Sequence, residues 1–223
     1  MAAATAAVVE EVLSAMPRRA AAGVQPAAAG QVGLPLLYGP HEPERWPLAE
    51  QLDLLRPGDV VTYCYRRAPT RILAGGRVLP EVRAARERGV LFDLGHGMTS
   101  FSFPVAEAAI ADGFPPDTIS TDGYARHLGQ VPPHDLPRTM AKLRAAGMPE
   151  AAIFAAVTAR PARILGLAPE IGQLTAGACA DLTVLAWREG AAPLADVDGV
   201  TRPGGCWEAV LTVRAGQIVA GDA

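Results

Sequence analysis

The sequence contains little lysine, few cysteines and few aromatic residues, and these shortages exclude several classes of protein. Of 20 basic residues only Lys142 is a lysine, and the net charge of −3 leaves no positive excess for binding nucleic acid or an anionic membrane. The three cysteines, Cys64, Cys179 and Cys206, lie far apart and form no CxxC pair. They predict reduced, mostly buried thiols, and they exclude a disulfide framework and a zinc knot.

Long hydrophobic runs and targeting signals are also missing. No apolar run approaches the ~20 residues that a membrane-spanning helix needs. The first residues include Glu10 and Glu11 and no basic cluster, so a secretory signal is not expected. We therefore predict a cytoplasmic protein with neither a nucleic-acid partner nor a membrane partner.

The chain does contain enough apolar residues for a sizeable core. With 223 residues, 50% of them hydrophobic, it can bury the core of one domain or of one and a half. Three segments differ in pattern. Residues 1–33 form an alanine-rich N-terminal part with a predicted helix at 3–16 and a linker, residues 34–167 alternate apolar runs with helical patterns, and residues 168–223 change to β patterns.

The middle segment predicts βα units around a parallel sheet. Its pattern indicates strands at 34–38, 59–64, 90–92 and 118–120, and helices at 48–55, 80–88, 102–111, 135–146 and 149–159. Asp135 is the expected N-cap of the fourth helix. The last segment predicts strands at 181–186, 209–214 and 217–220, with a two-residue turn at Ala215-Gly216.

Polar residues follow two of the predicted strands at the point where each strand ends. Asp93 and His96 come after the strand at 90–92, and Asp122 comes after the strand at 118–120. An α/β barrel builds its active site at the carboxyl ends of its strands. The stretch 90–124 therefore predicts two neighbouring parts of such a site.

Five stretches of the chain carry a resemblance to a known family. They are LRPGDVVTYCY, GRVLPEVRAARERGVLFDLGHG, FSFPVAEAAIADGFPPDTISTD, DLPRTMAKLRAAGMPEAAIFAAVTARPARILGL and IGQLTAGACADLTVL. In order and spacing, from about residue 33 to the C-terminus, they resemble the C-terminal half of the amidohydrolase superfamily. The nearest branch is the dihydroorotase-like amidohydrolase/deacetylase group, and DTISTD is among the most specific pieces.

This resemblance implies an α/β fold, namely the last four strands of a TIM-like (β/α)8 metallohydrolase barrel followed by part of a small β-sandwich. It also implies hydrolysis of C–N bonds in amides or cyclic amides, with zinc or another divalent metal that activates water. Asp122 matches the family's eighth-strand aspartate, which binds metal and transfers the water's proton. His96, between Gly95 and Gly97, matches a substrate-pocket position.

The sequence departs from the family at its other metal ligands. Tyr63 stands where the sixth strand has a histidine, and a phenol with a pKa near ~10 is a poorer zinc ligand than imidazole. The fifth-strand segment lacks its histidine, because His41 lies two positions beyond the best gapless match. Gly123-Tyr124 replaces a frequent Leu-His pair. Lys142 is expected in the helix after the eighth strand, so no lysine for carbamylation is expected, and the His-x-His strand has no counterpart.

The candidate site residues also have structural interpretations. Asp122 is the kind of aspartate that caps a turn after a strand. His96 is equally well interpreted as a loop histidine between two glycines that permit a tight turn. His127 and His134 lie in the long loop at 123–135 and are expected at the surface, with an accidental metal site as the alternative.

Three functional hypotheses follow. The first is a metal-dependent amidohydrolase that acts on a small-molecule amide together with a complementing N-terminal half. The second is a non-catalytic remnant; for the chain by itself we favour it, because Asp122 alone remains of the metal set and a catalytic zinc needs about three protein ligands. The third is a binding or assembly protein that uses the old pocket, with open strand edges that favour a partner or a homo-oligomer.

Overall fold

The computed structural model describes residues 33–40, 44 and 46–221. The predicted helix at 3–16, most of the linker after it and His41 lie outside these residues. In chain order, the elements are β1 (Leu37–Tyr38), α1 (Leu48–Asp53), β2 (Val60–Val61), β3 (Leu73–Ala74), β4 (Arg77–Val78), α2 (Pro80–Glu87), β5 (Leu91–Phe92), α3 (Phe103–Ala111), a 3-10 helix (Ala125–His127), α4 (Leu136–Ala145), α5 (Glu150–Val157), α6 (Ala159–Ile164), β6 (Leu182–Arg188), β7 (Leu194–Ala195), β8 (Thr201–Arg202), β9 (Cys206–Arg214) and β10 (Gln217–Gly221).

The predicted parallel sheet is present, with shorter strands than the sequence indicates. Its order is β1-β2-β5, and all its pairs are parallel. The predicted strand at 118–120 is wrong as a regular strand, because Thr118 forms only an isolated parallel bridge with Asp93. The ladder is irregular there, since the Phe92 carbonyl accepts from the amides of both Asp117 and Thr118. The segment still runs beside β5, because the His96 amide donates to the Ser120 carbonyl.

The helices begin and end close to the predicted residues where a local signal fixes them. Asp135 caps α4 as predicted, and its carboxylate accepts from the Arg138 amide at 2.8 Å. The predicted helix at 149–159 is wrong at its end, because Thr158 with φ −130° and ψ −88° separates α5 from α6. The hairpin β3-β4 and the pair β7-β8 were not predicted.

The C-terminal segment forms an antiparallel sheet in the order β10-β9-β6. The predicted turn is confirmed, since Ala215 and Gly216 connect β9 to β10 with φ of 49° and 79°, and positive φ at both positions is typical of a type I′ hairpin. Several apolar side chains of this sheet are exposed, among them Val184, Ile218 and Val219. No helix in the described part of the chain is long and apolar enough to cross a membrane.

One hydrophobic core connects the parallel sheet, its helices and the C-terminal sheet. It includes Phe92 of β5, Phe103 of α3 and Trp207 of β9. The Trp207 ring meets the Phe154 ring of α5 edge to face at 5.4 Å, so the C-terminal sheet packs against the helices. The three cysteines are free, but the prediction of mostly buried thiols is wrong at the exposed Cys179. The predicted segment boundaries at residues 33 and 167 remain predictions.

Candidate active site

The ends of β2 and β5 and the segment 118–122 meet at one edge of the parallel sheet, and we call the residues there the strand-end site. Its members are Tyr63, Gly95, His96, Gly97, Asp122 and Tyr124. Tyr63 and Asp122 have positive φ values of 64° and 49°. A non-glycine residue in this left-handed region costs about 1–3 kcal/mol and persists only where its surroundings fix it. Both side chains are thereby directed toward each other.

Two phenols hold the carboxylate of Asp122. The hydroxyls of Tyr63 and Tyr124 donate to its Oδ2 at 3.3 and 3.2 Å. Burial and the neighbouring Asp122 raise the pKa of the Tyr63 phenol, so it keeps its proton at neutral pH and remains a donor. The guanidinium of Arg66 lies 4.5 Å from the centre of the Tyr63 ring and adds a cation–π contact.

Gly95 and Gly97 are required by close packing at the end of β5. Both have positive φ, and a Cβ at Gly95 would lie 2.1 Å from the Thr62 Oγ1. A Cβ at Gly97 would lie 2.8 Å from the Asp122 Oδ2. The two glycines therefore let the backbone approach Thr62 and Asp122, and they position His96 between them. This supports the turn interpretation of the glycines; the predicted contact of Gly95, His96 and Gly97 with substrate stays a prediction.

His96 is buried and makes a contact that the sequence did not indicate. Its Nδ1 bonds to the Gly97 carbonyl at 2.8 Å, which makes Nδ1–H the donor and leaves Nε2 as an acceptor. The ammonium of Lys142 donates to that Nε2 at 2.8 Å. Burial, with a smaller effect of Lys142, lowers the pKa of His96 to about 3, so the imidazole is neutral at physiological pH. Lys142 lies in α4 as predicted, but its side chain reaches the strand-end site.

The prediction that the loop histidines lie at the surface is wrong for His127. The 3-10 helix folds its ring inward, where its Nδ1 accepts from the Tyr124 amide at 3.0 Å and its Nε2 is buried without a hydrogen-bond partner. The His134 ring is half-buried between His127 and His96, with ring centres 4.0 and 5.1 Å away. Its Nε2 donates to the Thr121 carbonyl at 2.8 Å. The histidine spacing alone gave no signal for this stack.

Asp93, the other acidic residue after a predicted strand, has a structural role. It is buried and accepts hydrogen bonds from three hydroxyls, those of Thr62, Thr118 and Ser120, at 2.6 to 2.8 Å. These hydroxyls come from β2 and from the segment beside β5. The carboxylate therefore connects three neighbouring chain segments, and both of its oxygens accept hydrogen bonds.

The residues around Asp122 do not supply a zinc ligand set. Across residues 33–40, 44 and 46–221, no group of three or more histidine, cysteine or acidic side chains is arranged to hold a metal ion. The contacts of Asp122 are phenols, and each neighbouring imidazole already bonds to a backbone group. A catalytic zinc needs about three protein ligands. The described residues thus do not fit the metal that the resemblance implies.

Known proteins resemble this chain over its described part. Residues 99–219 match the amidohydrolase family. A deacetylase of Enterococcus faecalis (strain ATCC 700802 / V583) is 39% identical over 157 residues, which are 70% of this chain and 42% of that protein. A deacetylase of Agrobacterium fabrum (strain C58 / ATCC 33970) is 41% identical over 136 residues, 60% of this chain and 33% of its own. The chain therefore spans less than half the length of these relatives.

Solved structures agree with the sequence matches. A dihydroorotase superposes with a TM-score of 0.77 at 31% identity over 90% of this chain and 53% of its own. An adenine deaminase gives 0.71 at 37% identity over 77% of this chain and 47% of its own. These neighbours imply a TIM-barrel type of α/β fold. Because the family match covers more than half of the sequence, the chain belongs to the amidohydrolase family.

Proposed function

We propose that this chain is the C-terminal half of an amidohydrolase barrel that descends from hydrolases of amide or cyclic amide C–N bonds, and that by itself it neither binds a catalytic metal nor hydrolyses an amide. The observation that carries this proposal is the pair of phenols on the Asp122 carboxylate. The hydroxyls of Tyr63 and Tyr124 donate to the carboxylate oxygen that a metal would otherwise need. The family's deacetylase activity is the ancestral function under this proposal.

The chemistry of the two tyrosines explains why this part of the site is closed to zinc. A phenol binds zinc well only as a phenolate, and burial beside Asp122 opposes loss of the Tyr63 proton. The Nε2 of His96 is not available to a metal beside Asp122, because it accepts from Lys142. Asp122 consequently acts as a hydrogen-bond acceptor in a polar cluster.

Metal content tests this proposal. The purified chain, equilibrated with zinc and desalted, should retain well below one zinc per chain in elemental mass spectrometry. The double substitution Tyr63→His and Tyr124→His places two imidazoles beside Asp122 and should raise zinc retention, since three ligands then surround one position. Tyr63→Phe with Tyr124→Phe is the matched control, because it removes the same hydroxyls and adds no ligand.

One outcome contradicts the proposal directly. If the unaltered chain retains one zinc and Asp122→Asn loses it, the aspartate is a working metal ligand and the site is intact. If the unaltered chain and Asp122→Asn retain the same amount of zinc, the metal is bound elsewhere, for example by His96, His127 and His134. That result leaves the proposal standing.

A second proposed function is assembly with a complementary half-barrel, and an exposed apolar groove favours it. A cavity of about 570 Å³ opens between β1, the segment 118–121 and α6. Its lining is mainly apolar, including Leu37, Ile119 and Ile164, and the Leu37 side chain is 66% exposed. Apolar surface of this kind beside β1, the end strand of the described parallel sheet, is a site for chain association. We propose that the occupant is an N-terminal half of the same family, because the matched relatives are more than twice as long as the part this chain covers.

Co-expression tests this assembly. The part of the Enterococcus faecalis deacetylase that this chain does not cover should co-purify with it as a 1:1 complex, measured by light scattering after size exclusion. Leu37→Asp should abolish the complex because it places a charge in the groove. Val131→Asp is the control, since Val131 is an exposed apolar residue away from the groove. Binding that survives Leu37→Asp would exclude this groove as the contact surface.

A further inference from the structure

Lys142 is a buried amine without an acidic partner. Its side chain is 8% exposed, and none of the ion pairs formed within the described residues includes it. Among the described residues, its hydrogen-bond partner is the neutral His96 imidazole. The Phe101 ring lies beneath both groups, stacked on His96 at 5.2 Å and with its centre 5.6 Å from the Lys142 Nζ. An amine in such surroundings is held in one position by apolar and neutral groups.

Burial and the positive charge of Arg138 disfavour the ammonium form of Lys142. Burial, and then the positive charge of Arg138, lower the pKa of Lys142 to about 8, while Asp196 acts in the opposite direction. The two nearby carboxylates are already engaged: Asp135 caps α4, and Asp196 accepts from the amides of Phe103, Asp198 and Val200. The remaining titratable neighbours, His96 and His134, are imidazoles. A substantial fraction of the amine is therefore neutral, with a free electron pair, near pH 8.

This amine opens into a pocket large enough for a small molecule. The cavity holds about 340 Å³ and is lined by Lys142 and His96 together with Gln130, His134, Arg138 and Thr139. With His96 and the reactive form of Lys142 neutral, the charged lining residues are Arg138 and Asp135, and the Asp135 carboxylate is used in the cap. The Arg138 guanidinium is thus the lining group that can hold an anion. The pocket therefore suits a molecule that carries a negative charge.

We propose that Lys142 is a nucleophilic amine that forms an imine with a small 2-oxo acid bound in this pocket. The carboxylate of the ligand lies toward Arg138 and His134, and its carbonyl carbon faces Nζ. Desolvation and a cationic neighbour are the two means by which proteins activate lysine for this reaction. The site requires no metal and is independent of the function proposed above.

The reaction is a condensation that releases one water. The electron pair of neutral Nζ attacks the carbonyl carbon, a C–N bond forms, and the carbonyl oxygen takes up a proton. Nitrogen then loses its protons to solvent while the hydroxyl leaves as water, giving the imine with no change in oxidation state. His96 Nε2 holds one N–H of Lys142 and so orients the electron pair; it is a positioning residue for this step.

The single lysine makes the test unusually direct. The intact chain is treated with pyruvate and borohydride near pH 8, which reduces any imine to a stable secondary amine, and peptide mass spectrometry then locates the adduct. The only other amine is the α-amino group, whose ordinary pKa is also about 8, so it reports reactivity that basicity alone confers. We expect a Lys142 adduct that saturates with pyruvate and exceeds the α-amino adduct at least about tenfold, as expected for a positioned reaction.

Controls separate the pocket from general reactivity. Acetone, which has the carbonyl but lacks the carboxylate, should label Lys142 without saturation; labelling equal to that by pyruvate would overturn the anionic ligand class. His96→Leu, which removes the acceptor for the Lys142 N–H, should reduce the Lys142 adduct several-fold with unchanged α-amino labelling, and Lys142→Arg should remove the adduct. Lys142 labelling no greater than that of the α-amino group in the unaltered chain would overturn the proposal without relying on any variant.

Discussion

Asp122 and Lys142 lie on opposite sides of the His96–Gly97 turn. For each of them, the role that the sequence suggests differs from what its surroundings in the structure allow. On one side, Asp122 keeps the residue type of a catalytic aspartate, but two phenols occupy its carboxylate. On the other side, Lys142 has no role in the metal set that the resemblance implies, but it is buried, unpaired with any carboxylate and placed in a pocket.

The difference shows that burial and hydrogen-bond partners, and not residue type, decide which of the two side chains is reactive. Asp122 is half-buried, and its carboxylate accepts hydrogen bonds from two tyrosine hydroxyls. Lys142 and His96 are removed from water as a pair, and desolvation is the largest cause of both lowered pKa values. Titration of Lys142 and His96 should therefore contribute clearly to the pH dependence of stability.

The largest expected effect is the acid sensitivity that His96 confers. Its pKa falls from 6.5 in the unfolded chain to about 3 in the folded protein, so the unfolded state binds the extra proton in this range and stability falls as the pH drops below 6.5. Between pH 6.5 and about pH 4 the loss due to His96 should approach about 3 kcal/mol, since each pH unit corresponds to about 1.4 kcal/mol.

Urea unfolding of the wild type and of His96→Gln across this pH range measures that loss. Glutamine can still donate to the Gly97 carbonyl and accept from Lys142, so it keeps both hydrogen bonds without a titrating group. Parallel stability curves for the two proteins would show that His96 is not desolvated in solution, and the contrast between the two sides of the turn would then lose its main support.

The next effect, on the alkaline side, comes from Lys142. Its pKa is 10.5 when unfolded and about 8 when folded, so the unfolded state binds more protons between these values and stability rises as the pH rises. From pH 8 to about pH 10 the gain should be about 2 kcal/mol. Lys142→Met should lack this gain relative to the wild type, as measured by urea unfolding.

The comparison with Lys142→Met cancels the contributions that other groups titrating at alkaline pH make to stability. Burial raises the pKa of the Cys64 thiol, which opposes the rise in stability equally in both proteins. Only the difference between the two curves reports Lys142. A difference that stays constant from pH 8 to pH 10 would mean that the amine titrates as an exposed lysine does.

The smallest effect is expected at Asp122. Asp122→Asn should change the free energy of unfolding by less than about 1 kcal/mol, because the group is half-buried and asparagine can still accept from a phenol. Asp93→Ala is the matched control and should cost about 3 kcal/mol, since it leaves three hydroxyls without their acceptor. A larger loss at Asp122 than at Asp93 would contradict the structural role that we assign to Asp93.

Short-range signals in the sequence predicted much of the fold. The alternation of apolar runs and helical patterns predicted the parallel sheet, and the cap at Asp135 and the turn at Ala215-Gly216 are confirmed because each depends on a few adjacent residues. The segment at 118–120 was predicted as a regular strand and is wrong. Its pairing depends on the Phe92 carbonyl and on the amides of Leu94 and His96, which no local pattern encodes.

The site was predictable only in part, for the same reason. The resemblance located Tyr63, His96 and Asp122, which the structure brings to one edge of the sheet. It did not indicate the contact of Lys142 with His96 or the burial of His127, since both join residues far apart in the sequence. The run Met140-Ala141-Lys142-Leu143 was one available signal: a lone lysine among apolar residues of a helix indicates a buried amine.

The sequence by itself determined the family, the βα order and the identity of the side chains at the strand ends, because these depend on local pattern and on characteristic residues. The tertiary structure decided which of those side chains are chemically available. Whether a carboxylate meets a phenol or a metal, and whether an amine keeps its proton, depends on solvent access and on groups from distant segments. Solvent access and these contacts are set only when α4 and the loop at 123–135 pack against the end of β5.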